Sequence, residues 1–306
     1  TGRLDSVTMS YDLEYGTELC RAYIQNSPGA LEYESGMFTD IHAINPYEQE
    51  LWMATGVLNG LRIISLFQSV DGIHQSWEAD VSRMYNYHAP ISVDGKTLRP
   101  HYYKIQKTIR YFDGDPWFLD AEKEYDLFIG SYTASRMDAS TAHLFFRGNI
   151  TFGVIDLIRN TPKCAFLWVN MDKIMPQIVI DKLVEYVTSG GHLILTGEPP
   201  IYNDRGGRAN LLDRLGIHIT DPGTPFSLVQ FDEGQYVRLT GFAGNFFGRK
   251  KSLYALQESN TRLAMNECGE TVIGVYHRGT GDIVIGTFIP EYLVEEHKAL
   301  LLSMLR

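Results

Sequence analysis

The sequence predicts an α/β protein in two parts: two βα units over residues 1–112, then a doubly wound α/β domain over 122–306. Three observations carry this. LRIISLF (61–67) and HLILTGEPP (192–200) are short apolar runs without alternation, the texture of parallel strands covered on both faces. Helical i, i+4 spacing follows other such runs, as at Ile174, Ile178, Leu183, Val184 and Val187. Strand, helix and strand then recur within about 35 residues, which is the length of a βαβ unit and implies a parallel sheet.

ALEYESG (30–36) is the first strand, ending in small residues. NPYEQELWMATGVLNG (45–60) is a helix with Asn45 as N-cap, Pro46 at its first position and Gly60 as its stop. LRIISLF follows as the second strand, then a long aromatic loop, then a helix over LRPHYYKIQKTIRYF (98–112). The acidic, Pro-containing DGDPWFLDAEKE (113–124) reads as a link. Beyond it, YDLFIGSY (125–132) and CAFLWVNM (164–171) are β-prone runs. The helix over 174–187 stops at Gly190-Gly191, and NLLDRLGI (210–217) is a short helix ending in Gly. TVIGVYHRGTGDIVIGTFIP (271–290) predicts a hairpin turning at Arg278-Gly279-Thr280-Gly281. EYLVEEHKALLLSMLR (291–306) closes the chain as an amphipathic helix.

Composition narrows the function classes. The 306 residues carry 27 Lys and Arg against 37 Asp and Glu, a net charge of −10 that disfavours contact with phosphate backbones, so no nucleic acid is expected. No apolar run approaches the length of a membrane span, and the first residues lack a signal-peptide core. Three scattered cysteines (Cys20, Cys164 and Cys268) form no C-x-x-C pair, so neither a structural metal nor a disulfide scaffold is expected, and a cytoplasmic setting is. Arg205-Gly206-Gly207-Arg208 fits no phosphate-loop pattern and reads as a loop.

Glu32-Tyr33-Glu34-Ser35-Gly36-Met37-Phe38 is the stretch with most chemistry. A carboxylate at the end of a parallel strand faces the rim where barrel enzymes react. A retaining glycosidase needs one such group as nucleophile and a second carboxyl as acid and then base. Glu32 and Glu34 compete for the role, since residues two apart on a strand share a face.

This stretch resembles the nucleophile segment of glycoside hydrolase family 35, Glu-aromatic-x-x-Gly-x-Phe/Leu, through Glu32, Tyr33, Gly36 and Phe38. Tyr85-Asn86-Tyr87-His88-Ala89-Pro90-Ile91-Ser92, followed by Gly95 and Tyr102-Tyr103, is similar to that family's Tyr-Asp-Tyr-Asp-Ala-Pro-Leu-Ser stretch after the eighth barrel strand. The resemblance covers about residues 20–110. It implies the last two βα units of a TIM (β/α)8 barrel, Glu32 as nucleophile and Tyr87 at the sugar. Phe67, Asp40 and His42 are further candidate sugar contacts, and an acidic loop residue, Asp40 or Asp71, is a candidate partner for an amine if the substrate carries one. Asn86 and His88 stand where the family has Asp, LFQSVDG (66–72) replaces its Gly-Gly-Thr-Asn run, and Ser65 stands near a sugar-contacting Tyr position, all of which bear on the sugar.

Residues 122–306 resemble the glutamine-amidotransferase-like trimerisation domain of glycoside hydrolase family 42, through TSGGHLILTGEPP and YHRGTGDIVIGTF. A family 35-like barrel followed by such a domain is the arrangement of archaeal exo-β-D-glucosaminidases, which trim glucosamine from chitosan oligosaccharides. An amidotransferase needs a Cys nucleophile on a turn after a strand, whereas Leu195-Thr196-Gly197-Glu198-Pro199 has none. The domain is expected to be non-catalytic and to serve homo-oligomer contact. A whole barrel takes about 250 residues. Glu32 has 31 residues before it, so the acid/base Glu and the N-terminal barrel portion are expected in a preceding segment or a second chain. Asn266-Glu267 reads as a loop rather than that acid. The expected function is thus part of a retaining exo-β-glycosidase acting on an oligosaccharide without cofactor or metal, with glucosamine first and galactose second. The reading from another class is a non-catalytic assembly or carbohydrate-binding module.

Overall fold

The structure, a computed structural model, describes residues 6–24, 29–34, 45–67, 69–71, 89–114, 117, 121–133, 136–220, 226, 228–231, 234, 236–238, 254–288 and 304–305; the side chains of 6–13, 24, 29–34, 67, 136 and 238 are outside that description. The chain divides into two compact units, Thr1–Lys123 and Glu124–Arg306.

The first unit holds α1 (Ser6–Ile24), β1 (Gly29–Glu34), α2 (Pro46–Leu58), β2 (Ile63–Phe67) and α3 (Pro100–Gly114). α2 starts where its sequence says it should. The Asn45 side chain accepts from the Tyr47 N–H at 2.9 Å, and the Glu48 carboxylate reaches back to the Asn45 N–H at 3.1 Å, closing a capping box ahead of Pro46. It stops at Gly60, whose φ of +98° suits glycine. α2 and α3 pack together through Trp52, Met53 and Ile105, with Ile64 and Leu66 of β2 against them. Trp52 is therefore a core residue.

α1 was not legible as a helix. Its Glu14 and Glu18 are buried and share the Lys123 ammonium at 3.0 and 3.2 Å, and that ammonium also donates to the Asn59 side chain at 2.7 Å. Arg21 donates to the Asn59 carbonyl at 2.6 Å and lies against Gly60, where a Cβ would sit 2.2 Å from its Nη2. Gly60→Ala is therefore expected to lose about 1–3 kcal/mol, from backbone strain and from displacing Arg21. Urea unfolding measures this, and an unchanged midpoint would contradict it.

The second unit is built on one mixed sheet. Its strands are β3 (Leu127–Ser131), β4 (Phe152–Asp156), β5 (Phe166–Met171), β6 (His192–Gly197), β7 (His218–Thr220), β8 (Leu228–Phe231), β9 (Tyr236–Arg238), β10 (Ala255–Gln257), β11 (Thr261–Asn266), β12 (Thr271–Arg278) and β13 (Gly281–Gly286). Its helices are α4 (Arg136–Arg147), α5 (Gln177–Thr188) and α6 (Leu211–Leu215). The sheet order is β4-β3-β5-β6-β13-β12-β11-β8-β9, with β10 on β12 and β7 on β10. β4, β3, β5, β6 and β13 are parallel, in the doubly wound order 2-1-3-4-5. The expectation of a doubly wound domain thus describes half the sheet. The other half, from β12 outward, is antiparallel, and its short strands between 218 and 266 carried no clear sequence pattern. The expected hairpin is β12–β13, whose second strand also joins β6 in parallel. Of the expected closing helix, only Met304 and Leu305 lie among the described residues, in helical conformation.

α5 covers the parallel strands with Val179, Ile180, Leu183 and Val187, all fully buried against Leu167, Leu195 and Ile283. α4 lies against β3 and β5 and brings polar groups into the interior. The Asn170 amide donates to Asp138 at 2.9 Å, and its oxygen accepts from Thr141 at 3.1 Å and Thr196 at 2.7 Å. The Trp168 indole donates to Thr196 at 3.0 Å. Such satisfied buried polar groups fix the register of strands and helix at little cost. Among the described residues, no helix is long and apolar enough to cross a membrane.

Candidate functional site

The site is framed by β1 and β2. They pair in parallel, Gly29 with Ile63, Ala30 with Ile64, Tyr33 with Leu66 and Glu34 with Phe67. Their carboxyl ends are level, and Glu32 lies in the third-last position of β1. Between Ala30 and Tyr33, β1 advances three residues while β2 advances two, so one extra residue falls at Leu31–Glu32. Bulges of this kind bend a strand locally and recur beside active sites. Glu34 ends β1 and Phe67 ends β2. Asp40, His42 and Tyr87 lie outside the described residues.

β2 shows which face is covered. Ile64 and Leu66 pack on the helices, whereas Ile63 is 62% exposed and Ser65 lies exposed on the same face. Among the described residues, β1 is the one strand paired with β2. A run as apolar as IISLF ordinarily has both faces buried in a parallel sheet.

The chain that follows β2 is pinned at two points. Asp71 N–H donates to the Ile91 carbonyl at 2.9 Å and Ile91 N–H to the Ser69 carbonyl at 3.1 Å, which draws 69–71 and 89–91 together. Val70 bridges Ile91 in parallel, and Ile91 bridges Leu98 in antiparallel. One oxygen of the Asp71 carboxylate accepts from Ala89 N–H at 2.7 Å, and Arg99 pairs with the other and with the Ala89 carbonyl. Asp71, read from sequence among the loop acids that could meet an amine, instead has its charge engaged by Arg99. Arg99 itself was missed, because nothing local links residues 28 apart. Asp71→Ala removes the partner of a half-buried guanidinium and is expected to lose about 1.5–3 kcal/mol, seen as a lower urea midpoint. A shift within error would contradict it.

Cys164 precedes β5 at its amino end, away from the carboxyl rim, and burial pushes its thiol above the ordinary range, opposite to an activated nucleophile. At the carboxyl ends of β3 and β5, the buried Tyr132 hydroxyl accepts from Asp172 N–H at 3.0 Å and donates to the Asn170 carbonyl at 3.2 Å, tying together the point where strand order reverses. Asn266 closes the β11–β12 turn, accepting from the N–H groups of Cys268 and Glu270 at 2.9 Å, and Glu267 accepts from Leu228 N–H at 3.1 Å. Glu267 lies exposed in a turn, as its loop reading expected, whereas Asn266 ends β11 and is buried. Among the described residues, no group of three or more His, Cys, Asp and Glu could hold a metal ion.

The chain thus has a mixed α/β fold of the kind found in glycoside hydrolases, with a parallel strand pair ahead of a larger mixed-sheet domain. Residues 123–241 match the family profile described as "GLMA-like, second domain". An exo-beta-D-glucosaminidase of Thermococcus kodakarensis is 23% identical over 235 residues, which is 67% of this chain and 29% of that protein. Among solved structures, the fold is similar to a GH42 beta-galactosidase from G. stearothermophilus, at a TM-score of 0.74 and 13% identity over 99% of this chain and 47% of that one. It is also similar to the beta-galactosidase of Rahnella sp. R3, at 0.75 and 14% over 99% of this chain and 48% of that one. An exo-beta-1,4-mannosidase of an Opitutaceae bacterium gives 0.67 and 13%, over 100% and 53%. The chain therefore spans 29% of its curated relative and about half of each of these enzymes.

Proposed function

We propose that this chain is part of a retaining exo-β-glycosidase, contributing the nucleophile Glu32 and the last two βα units of its (β/α)8 barrel. The observation that carries the reading is the level parallel pair β1–β2, with Glu32 near the carboxyl end of one strand and, among the described residues, helices packed on one face of β2 while Ile63 and Ser65 stay exposed on the other. The bare face of β2 has the character of a barrel interior, which the remaining strands, in a longer chain or a second one, would fill. Likeness to an exo-beta-D-glucosaminidase and to beta-galactosidases supports the same class.

In this reading Glu32 attacks the anomeric carbon of a non-reducing-end sugar while a carboxyl from the rest of the barrel protonates the leaving oxygen. The same carboxyl, now ionised, deprotonates water, which releases the sugar from Glu32 with net retention. The two carboxyl groups stand about 5–5.5 Å apart, as the covalent route requires. Tyr87, Phe67, Asp40 and His42 line the sugar in this proposal. The second unit is non-catalytic and mediates contact between copies.

Glucosamine is the preferred sugar, because the sequence relative is a glucosaminidase; galactose is the second reading, favoured by the solved structures. The test is turnover of aryl β-D-glucosaminide and aryl β-D-galactoside by the protein with its whole barrel, with the product anomer read by proton NMR. The β-anomer appearing first is expected. The α-anomer first, or no turnover of either compound, would overturn the reading.

A further inference from the structure

In the second unit a cleft of about 680 Å³ opens beside the loop after β6, between α6 and the strands β7 and β10. Its floor is apolar, with Leu212 and Ile217 buried beneath it. Its rim carries Tyr202, Arg208, Asp213, His218 and Gln257.

Tyr202 and Arg208 face each other across an antiparallel bridge, the tip of which is the Arg205-Gly206-Gly207-Arg208 stretch that fits no phosphate loop. The turn is closed on itself. Asn203 N–H donates to the Gly207 carbonyl at 2.7 Å, while the Asn203 side-chain oxygen accepts from the N–H groups of Arg205 at 3.0 Å and Gly207 at 2.9 Å. Gly206 takes the φ of +76° that the turn demands. Tyr202 is tied on its other side too, its N–H donating to Lys173 at 2.9 Å and its carbonyl accepting from Met175 at 3.0 Å. An aromatic ring 53% exposed is thus carried on a backbone fixed from both sides. A rigidly held Tyr offers contact area at little entropic cost.

The charges select the ligand. Arg208 and Asp213 cancel, so the rim favours neither an anion nor a cation. Among the described residues, the side chains of Arg208, Asp213, His218 and Gln257 make no hydrogen bond or ion pair. An aromatic platform beside planar polar groups suits a ring with apolar C–H faces and equatorial hydroxyls. We propose that this cleft is a second, non-catalytic site that binds an uncharged sugar residue of an oligosaccharide. The inference rests on the glycosidase reading for its ligand class and adds a site remote in sequence from Glu32.

The test is a titration of the 306-residue protein with N,N′,N″-triacetylchitotriose, followed by amide NMR. Saturable shifts at Tyr202, His218 and Gln257 are expected, with Tyr202→Ala or Arg208→Ala weakening binding about tenfold. Glu32→Gln should leave that binding unchanged. Absence of saturation at about 10 mM ligand, or binding untouched by both cleft variants, would overturn the proposal. Hydrolysis by the whole enzyme is read separately. Turnover without cleft binding removes the cleft proposal alone; cleft binding without turnover upholds the cleft and removes the glycosidase reading.

Discussion

Glu32→Ala in the protein carrying its whole barrel is expected to lower turnover of an activated aryl β-glycoside by on the order of 10⁴-fold or more, the scale lost when a nucleophile is removed from other hydrolases. The loss follows from the proposed chemistry. Without the carboxylate no glycosyl-enzyme forms, and the acid alone gives no route through a covalent intermediate. The methyl side chain leaves room for a small anion, so azide should restore cleavage and yield the α-glycosyl azide. Glu34→Ala should reduce turnover far less, because Glu34 is the competing assignment and not the proposed one. Equal losses at both positions without azide rescue would point to damage in β1 rather than to lost chemistry. Circular dichroism of each variant separates the two cases.

Lys123→Ala is expected to cost about 3–5 kcal/mol of stability, more than any other single change suggested by the first unit. The Lys123 side chain is 16% exposed and lies between Glu14 and Glu18, the latter 1% exposed. Removing the ammonium leaves two carboxylates buried with less compensation, which costs more than the pair itself contributes. It also frees the Asn59 side-chain oxygen, which Lys123 ties to α1 at the end of α2. Urea unfolding should show the first unit melting early, with the signal of the second unit unmoved. A midpoint shift below about 1 kcal/mol, the value typical of surface pairs, would show that the cluster is solvated.

The legible parts of the sequence were those with local signals. α2 had its cap, its proline and its glycine within 16 residues, and the structure starts it at Pro46. β5, α5 and β6 were apolar in pattern and bounded by Gly190-Gly191. α1 and α4 were missed for a common reason. Their buried faces include Glu14, Glu18, Asp138, Thr141 and His143, which read as solvent-facing until their partners are known. Those partners, Lys123 for the first pair and Asn170 for Asp138, lie about 30 to 110 residues away. The antiparallel half of the sheet was hidden because β7, β9 and β10 are three residues each and take their structure from non-local pairing.

The candidate site divides the same way. Glu32 drew notice as a carboxylate at a strand end before a glycine, a pattern readable from seven residues. The Asp71–Arg99 pin could not be read, since it joins the end of one segment to the start of another. The bare face of β2 was hidden as well: IISLF reads as a strand buried on both sides, and Ile63 shows that one side is open. That mismatch between an apolar strand and its solvent exposure is what connects the sequence to the proposed barrel.

Trapping the intermediate tests the assignment of Glu32 most directly. The protein with its whole barrel is incubated with a 5-fluoro-β-glycosyl fluoride of the preferred sugar, digested, and read by mass spectrometry. The expected result is one fluorosugar attached to the peptide containing Glu32, on the Glu32 carboxylate itself. A fluorosugar on Glu34 or on any other residue, or full turnover with no adduct at all, would contradict it.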